Sequence, residues 1–110
     1  MELTLVEGEV WWAEPSPAVG REQGGRRPVV VVSGQLFHDT VTTLALVVPA
    51  TSRDRAWPNH VVLEGSAGVD GWAMTEQVRA ISRERLVRRA GIVTPECLAD
   101  LRAWVVDYLR

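Results

Sequence analysis

The sequence predicts a mainly β domain, about six short strands with a helix at the C-terminus. Three observations carry that prediction. Val29 to Val32 is an unbroken β-branched run, which suggests a strand buried on both faces in the middle of a small closed sheet. Short strand-forming runs recur along the chain, punctuated by Gly, Pro and Asn, as in a sheet with mainly antiparallel connections. Near the end, Thr94-Pro95-Glu96 reads as a helix start: a cap, a proline at the first helical position and an acid in the first turn.

Glu7 to Ala13 is the first strand. Successive side chains of a strand point to opposite faces, so one of Trp11 and Trp12 enters the core and the other does not; periodicity leaves open which. Glu14 to Arg27 is a long irregular connection, of a length often reserved for function. Within it, Glu22 precedes a Gly24-Gly25 pair that allows close backbone approach, and Arg26-Arg27 follow. Pro28 pushes Arg27 toward extended geometry, setting a guanidinium at the lip of the second strand, Pro28 to Gly34. Gln35 to Thr40 reads as a turn, Val41 to Ala50 as the third strand, and Thr51 to Asn59 as a second polar loop. His60 to Glu64 is the fourth strand, Gly65 to Gly71 a glycine-rich turn, and Trp72 to Met74 and Gln77 to Ile81 the last two strands. Ser82 looks like the cap of a short helix, Arg83 to Arg89. Cys97, Leu101, Trp104, Val105 and Tyr108 fall on one stripe of the terminal helix, more simply a packing face than a cofactor site.

A chain of 110 residues with 46% hydrophobic content is expected to be a single domain spanning residues 1–110, with an ordinary folded core. No apolar run approaches a membrane span and Met1-Glu2-Leu3-Thr4 lacks a basic leader, so a cytoplasmic protein without a membrane partner is expected. One cysteine, Cys97, excludes an intrachain disulfide and a cysteine metal cluster. The net charge of −2 makes no general case for nucleic acid. The distribution does more: all 12 basic residues are arginine, and ten of them cluster at Arg21/Arg26/Arg27, Arg53/Arg55 and Arg79 to Arg89. A mildly acidic molecule can still hold a locally positive cleft.

If strands two and three form a hairpin, the start of one and the end of the other share an end of the sheet. Arg27 and Thr51 then become neighbours, with Glu22, Ser52 and Arg53 close by. A planar guanidinium beside a hydroxyl suits a phosphate or carboxylate.

Three segments, in order, carry a resemblance. Gly20-Arg21-Glu22-Gln23-Gly24-Gly25-Arg26-Arg27-Pro28-Val29-Val30-Val31 resembles the G-x-E-Q-x-G-x-R-P-v-v-v signature of the MazF/PemK toxin family. Val47-Val48-Pro49-Ala50-Thr51-Ser52 is similar to its V-x-P-x-T-S, and Glu76-Gln77-Val78-Arg79-Ala80-Ile81-Ser82 to its D-Q-x-R-x-I-D, with Arg85-Leu86 following. The resemblance spans Gly8 to Leu109. It implies an SH3-like β-barrel with helices, a homodimer, and a sequence-selective endoribonuclease that cuts single-stranded RNA, needs no metal or other cofactor, and is held in check by a small antitoxin with a flexible tail. It implies 2′-hydroxyl attack on the adjacent phosphate, leaving a cyclic phosphate and a 5′-hydroxyl. Carried over position by position, Arg27 and Thr51 are catalytic. Glu22 either orients Arg27, acts as base, or bridges the loop. Gln23, Gly25, Arg26, Ser52, Arg53, Glu76, Gln77 and Arg79 are expected to bind substrate, and Trp57 could stack a base.

There are departures. Where some members assign proton transfer to an aspartate and an arginine two residues before it, this chain has Glu76 and Met74; the longer acid could still serve as base in place of Glu22, but no arginine stands at Met74. That shifts the expected burden to Arg27. His38 and His60 invite a two-histidine mechanism, but His60 falls in a strand after Pro58 where the resembled family often has a histidine without a catalytic role; with Asp39 the two lack metal-ligand spacing. The same fold in CcdB-type toxins poisons DNA gyrase without cutting RNA. Those chains end Trp-Gly-Ile, whereas this one ends Val106-Asp107-Tyr108-Leu109-Arg110.

Overall fold

A computed structural model describes residues 4–14 and 25–110 of the protein. Among the described residues there are eight strands: β1 (Glu9–Ala13), β2 (Arg27–Val31), β3 (Leu44–Thr51), β4 (His60–Val62), β5 (Gly65–Ser66), β6 (Trp72–Met74), β7 (Arg79–Ser82) and β8 (Leu86–Val93). They form one curled antiparallel sheet in the order β4-β6-β3-β2-β1-β8-β5, with β7 alongside β3 below β6. Helix α1 (Gln35–Thr40) joins β2 to β3, and α2 (Pro95–Asp107) closes the chain. The result is a half-barrel with a terminal helix.

The valine run explains why β2 sits centrally. Val30 and Val32 face a core completed by Val10, Val48 and Ala73 and by Cys97, Leu98 and Leu101 of α2. Val29 and Val31 face the other way, against Trp11, Ala13, Val47 and Ile81. All four valines are buried, and each such side chain contributes roughly 1.5–3 kcal/mol. Trp11 is the buried indole of the pair; Trp12 is half-exposed. Helix α2 begins as expected, with Thr94 Oγ1 accepting from the Cys97 N–H at 3.1 Å and Pro95 in its first turn. Its stripe is buried at Cys97 and Leu101 but surfaces by Tyr108.

Several boundaries differ from the expectation. Gln35–Thr40 is helical: Gln35 Nε2 donates to Asp39 Oδ1 one turn on at 2.8 Å, and the Arg83 guanidinium donates to the carbonyls of His38 and Val41 at the helix end. The third strand accordingly starts at Leu44 rather than Val41. The helix expected over Arg83 to Arg89 is replaced by a single 3₁₀ turn, Arg83–Arg85, capped by Ser82, and then by β8. The reason is non-local: Leu86, Arg88 and Arg89 pair with β1, whose backbone groups would otherwise lack partners. β8 also gains Gly65–Ser66 as a small extra strand inside the expected glycine turn. The fourth strand ends at Val62, and Gln77 belongs to a 3₁₀ turn, Thr75–Gln77, that delays β7 to Arg79.

Candidate functional site: an arginine-walled rim

β2 and β3 are antiparallel, with Val29 opposite Pro49, Val30 opposite Val48 and Val31 opposite Val47. Continuing that register by two residues sets Arg27 across from Thr51, on one face and at one end of the sheet. The hairpin expectation therefore holds for the geometry, although α1 intervenes in the connection. Arg27 is also paired with Ala13 of β1, so a strand flanks it on each side and fixes where its side chain starts.

This face is the one α2 does not cover. A cavity of about 70 Å³ opens there, floored by Ala13, Val29, Val47, Pro49 and Ile81 and walled by Arg27, Arg79 and Arg85 together with Glu14. Arg79 reaches it because it pairs with Val47 on β3 and so shares that residue's face. Arg85 is half-buried, and its Nε donates to the Glu14 carbonyl at 2.8 Å. Burial, and then the neighbouring Arg79 charge, push the Arg85 pKa down. Two guanidinium groups close enough to repel each other are a standing attraction for an anion. Arg26 is exposed and reaches Glu14 (Nε to Oε2, 3.6 Å), a surface pair of little energetic weight.

Thr51 is half-buried, and its Oγ1 accepts the Arg53 N–H at 3.1 Å. That bond orients the hydroxyl and leaves its proton to donate. The strand beside it is held close by Gly71: at φ +153° its missing Cβ would lie 2.5 Å from the Thr51 carbonyl oxygen. Directly after Gly71, Trp72 pairs with Thr51 across the ladder.

The remaining expected residues divide. Gly25, Ser52 and Arg53 are exposed at the same end, and among the described residues nothing beyond its chain neighbours lies within 4 Å of a Cβ placed on Gly25. Glu22 and Gln23 lie outside the described residues. Glu76 is not a free carboxylate at the cavity. Both its oxygens contact His60 Nε2, at 3.0 and 3.1 Å, and Oε1 also accepts from Asn59 Nδ2. Burial pushes the Glu76 carboxyl up, but the hydrogen bonds it accepts, His60's foremost, outweigh that and hold it below the usual value. Gln77 Nε2 and Arg55 Nη1 both donate to Met74 Sδ, at 3.6 and 3.7 Å. Trp57 is 49% exposed and tilted over the His60 ring, centroids 4.9 Å apart. His38 and His60 do not form an acid–base pair. His38 is buried on α1 against Ser33 Oγ (2.7 Å), and His60 is engaged with Glu76. For the same reason His38, Asp39 and His60 assemble no metal site.

Arg85 and the floor residue Ala13 were not among the sequence candidates for this site. Placing Arg83–Arg89 on a helix would have turned Arg85 away, whereas the β8 pairing with β1 brings it to the wall.

The fold and the rim together define a half-barrel protein with arginines set around an apolar floor, an arrangement that attracts an anion. The chain matches, over residues 7–109, the model described as the PemK-like, MazF-like toxin of type II toxin–antitoxin systems, and it belongs to that family. It is 37% identical over 97 residues to the endoribonuclease toxin MazF of Escherichia coli (strain K12), covering 87% of this chain and 86% of that one. It is 39% identical over 102 residues to endoribonuclease MazF9 of Mycobacterium tuberculosis (strain ATCC 25618 / H37Rv), covering 86% of each. Among solved structures, a MazE–MazF complex from Deinococcus radiodurans superposes with a TM-score of 0.84 at 30% identity, over 98% of this chain and 97% of that one.

Proposed function

We propose that this chain is the endoribonuclease toxin of a type II pair, cutting single-stranded RNA at the Arg27–Thr51 rim. The observation that carries it is the register that sets these two side chains across from each other on the uncovered face, beside the cavity walled by Arg79 and Arg85.

The chemistry follows from what the groups can do. The 2′-oxygen of one nucleotide loses its proton and bonds to the adjacent phosphorus. The bond from phosphorus to the 5′-oxygen breaks, and that oxygen takes up a proton. Charge builds on the non-bridging oxygens between those events. Arg27 supplies paired N–H donors to that charge and a proton source for the leaving oxygen; Thr51, its hydroxyl oriented by the Arg53 amide, donates to a non-bridging oxygen. No step is assigned to a metal. Glu22 is the nearest acidic candidate in sequence to act as base or to orient Arg27. Glu76 is instead a positioning group, since His60 occupies its carboxylate.

The partner reading follows from the same surface. An antitoxin tail with acidic and apolar residues would cover the arginine walls and the apolar floor, as the presence of MazE with MazF in a similar solved structure suggests. A homodimer acting in the cytoplasm completes the proposal. A gyrase-poisoning activity is favoured by nothing in the site.

The test is to incubate purified protein with a long mixed-sequence RNA in excess EDTA and map the cut ends. Cyclic phosphate and 5′-hydroxyl ends are expected, with Arg27→Ala inactive but folded. Cleavage abolished by EDTA would remove the metal-free mechanism; intact RNA with blocked gyrase supercoiling would remove the ribonuclease reading.

A further inference from the structure

We propose that Trp72 is the stacking platform for the nucleobase next to the scissile phosphate, an inference that rests on the ribonuclease reading of the same rim. Thr51 and Trp72 are direct partners across the β3–β6 ladder. The next residue, Ala73, is fully buried in the core under α2, so alternation turns Trp72 to the opposite face, the one that carries Arg27 and Thr51. One strand spacing, about 4.8 Å, separates Trp72 from Thr51 and roughly two separate it from Arg27. A phosphate gripped by Arg27 and Thr51 would therefore hold its attached sugar and base over the Trp72 indole.

Three further facts fit. Trp72 is partly exposed although it lies in a strand. The residue on its far side, Val62, is 47% exposed, so the apolar strip continues outward from the charged rim as a base-sized shelf. Gly71 anchors the start of this strand against the Thr51 carbonyl, which gives the indole a rigid seat. Trp57, the aromatic that the sequence suggests for stacking, has one face committed to the His60 ring and sits in a loop. Trp72 lies in β6, and among the described residues no aromatic ring is packed against it.

The experiment measures binding of a short RNA made uncleavable by a 2′-deoxy sugar at the cut position. Abasic sites are placed one at a time along it. For the wild-type protein, an abasic site at one nucleotide flanking the cut should weaken binding roughly tenfold. Trp72→Ala and Trp72→Leu should bind the intact RNA roughly tenfold more weakly and lose the penalty at that position alone. Trp72→Phe should keep both, and circular dichroism checks that each variant is folded. Trp72→Leu matching Trp72→Phe would show that bulk and not an aromatic face is needed, which overturns the proposal. So would an unchanged abasic penalty in folded Trp72→Ala. If wild-type protein neither binds nor cuts RNA, the ribonuclease reading itself falls, an outcome separate from either.

Discussion

At Thr51 the methyl and the hydroxyl can be separated by substitution. The hydroxyl accepts from the Arg53 amide at 3.1 Å, which leaves its own proton available to donate. We predict that Thr51→Ser retains most cleavage while the near-isosteric Thr51→Val loses roughly 10²-fold or more. Initial rates on a fluorogenic RNA measure both, and equal rates would remove Thr51 from the chemistry. If Arg27 grips the phosphate as proposed, its planar fork counts as well as its charge, so we predict that Arg27→Lys recovers only a small part of the loss in Arg27→Ala. Arg79 has a simpler duty. It lines the cavity as a positive wall, so Arg79→Gln should weaken RNA binding and flatten its dependence on log salt by about 0.7. An unchanged salt slope would mean that Arg79 meets no phosphate. These residues are legible in the sequence because Arg27 and Thr51 each sit at the end of a recognisable strand. Arg85 is not, since its placement depends on which strand its neighbours join.

The 3₁₀ turn Thr75–Gln77 shows how an element is held in place by a distant one. Asn59 Nδ2 donates to Tyr108 OH at 2.9 Å, and Tyr108 OH and Thr75 Oγ1 lie 2.6 Å apart. Thr75 Oγ1 in turn donates to the Asn59 carbonyl at 2.7 Å. The ring ties the loop after β3, the turn bearing Glu76 and the last turn of α2 into one unit. Thr75 is fully buried, so removing its partner leaves a desolvated oxygen short of a donor. We predict that Tyr108→Phe costs about 1 kcal/mol, a drop of a few degrees in thermal midpoint, with little effect on rate. A calorimetric midpoint equal to wild type would show that the ring contributes nothing. β8 teaches a related lesson. Arg-Glu-Arg-Leu-Val-Arg-Arg has no strand alternation and every local reason to be helical; the open edge of β1 overrides that preference. Conversely Gln35–Thr40, composed like a turn, becomes a helix whose far end is capped by Arg83 from the distant 3₁₀ turn after β7.

Over the whole molecule, two titrating groups push stability the same way on acidification. His38 is buried, and burial, followed by the Arg83 charge, lowers its pKa from 6.5. The unfolded chain then binds the proton more readily, so stability starts to fall as pH drops below about 6.5. Glu76 also has its folded pKa lowered, from 4.5, so its contribution is present above about 4.5 and is lost as pH falls through the folded value. We predict a two-stage decline in urea midpoint between pH 7.5 and 3. His38→Gln, less stable at neutral pH, should flatten the first stage, and Glu76→Gln the second. A wild-type midpoint constant from pH 7.5 to 5 would contradict the first part. By itself the sequence determined the class of fold, the central valine strand, the cap and stripe of α2, and the pair of polar loops bearing arginine and threonine. Each is a local matter of backbone restriction or of apolar residues recurring at a fixed period. Only the tertiary structure decided that Arg85 joins the wall, that Glu76 is taken by His60, and that Trp72 stands beside Thr51. Those are facts of register between strands distant in the chain, where no local preference reaches and pairing alone chooses the neighbour.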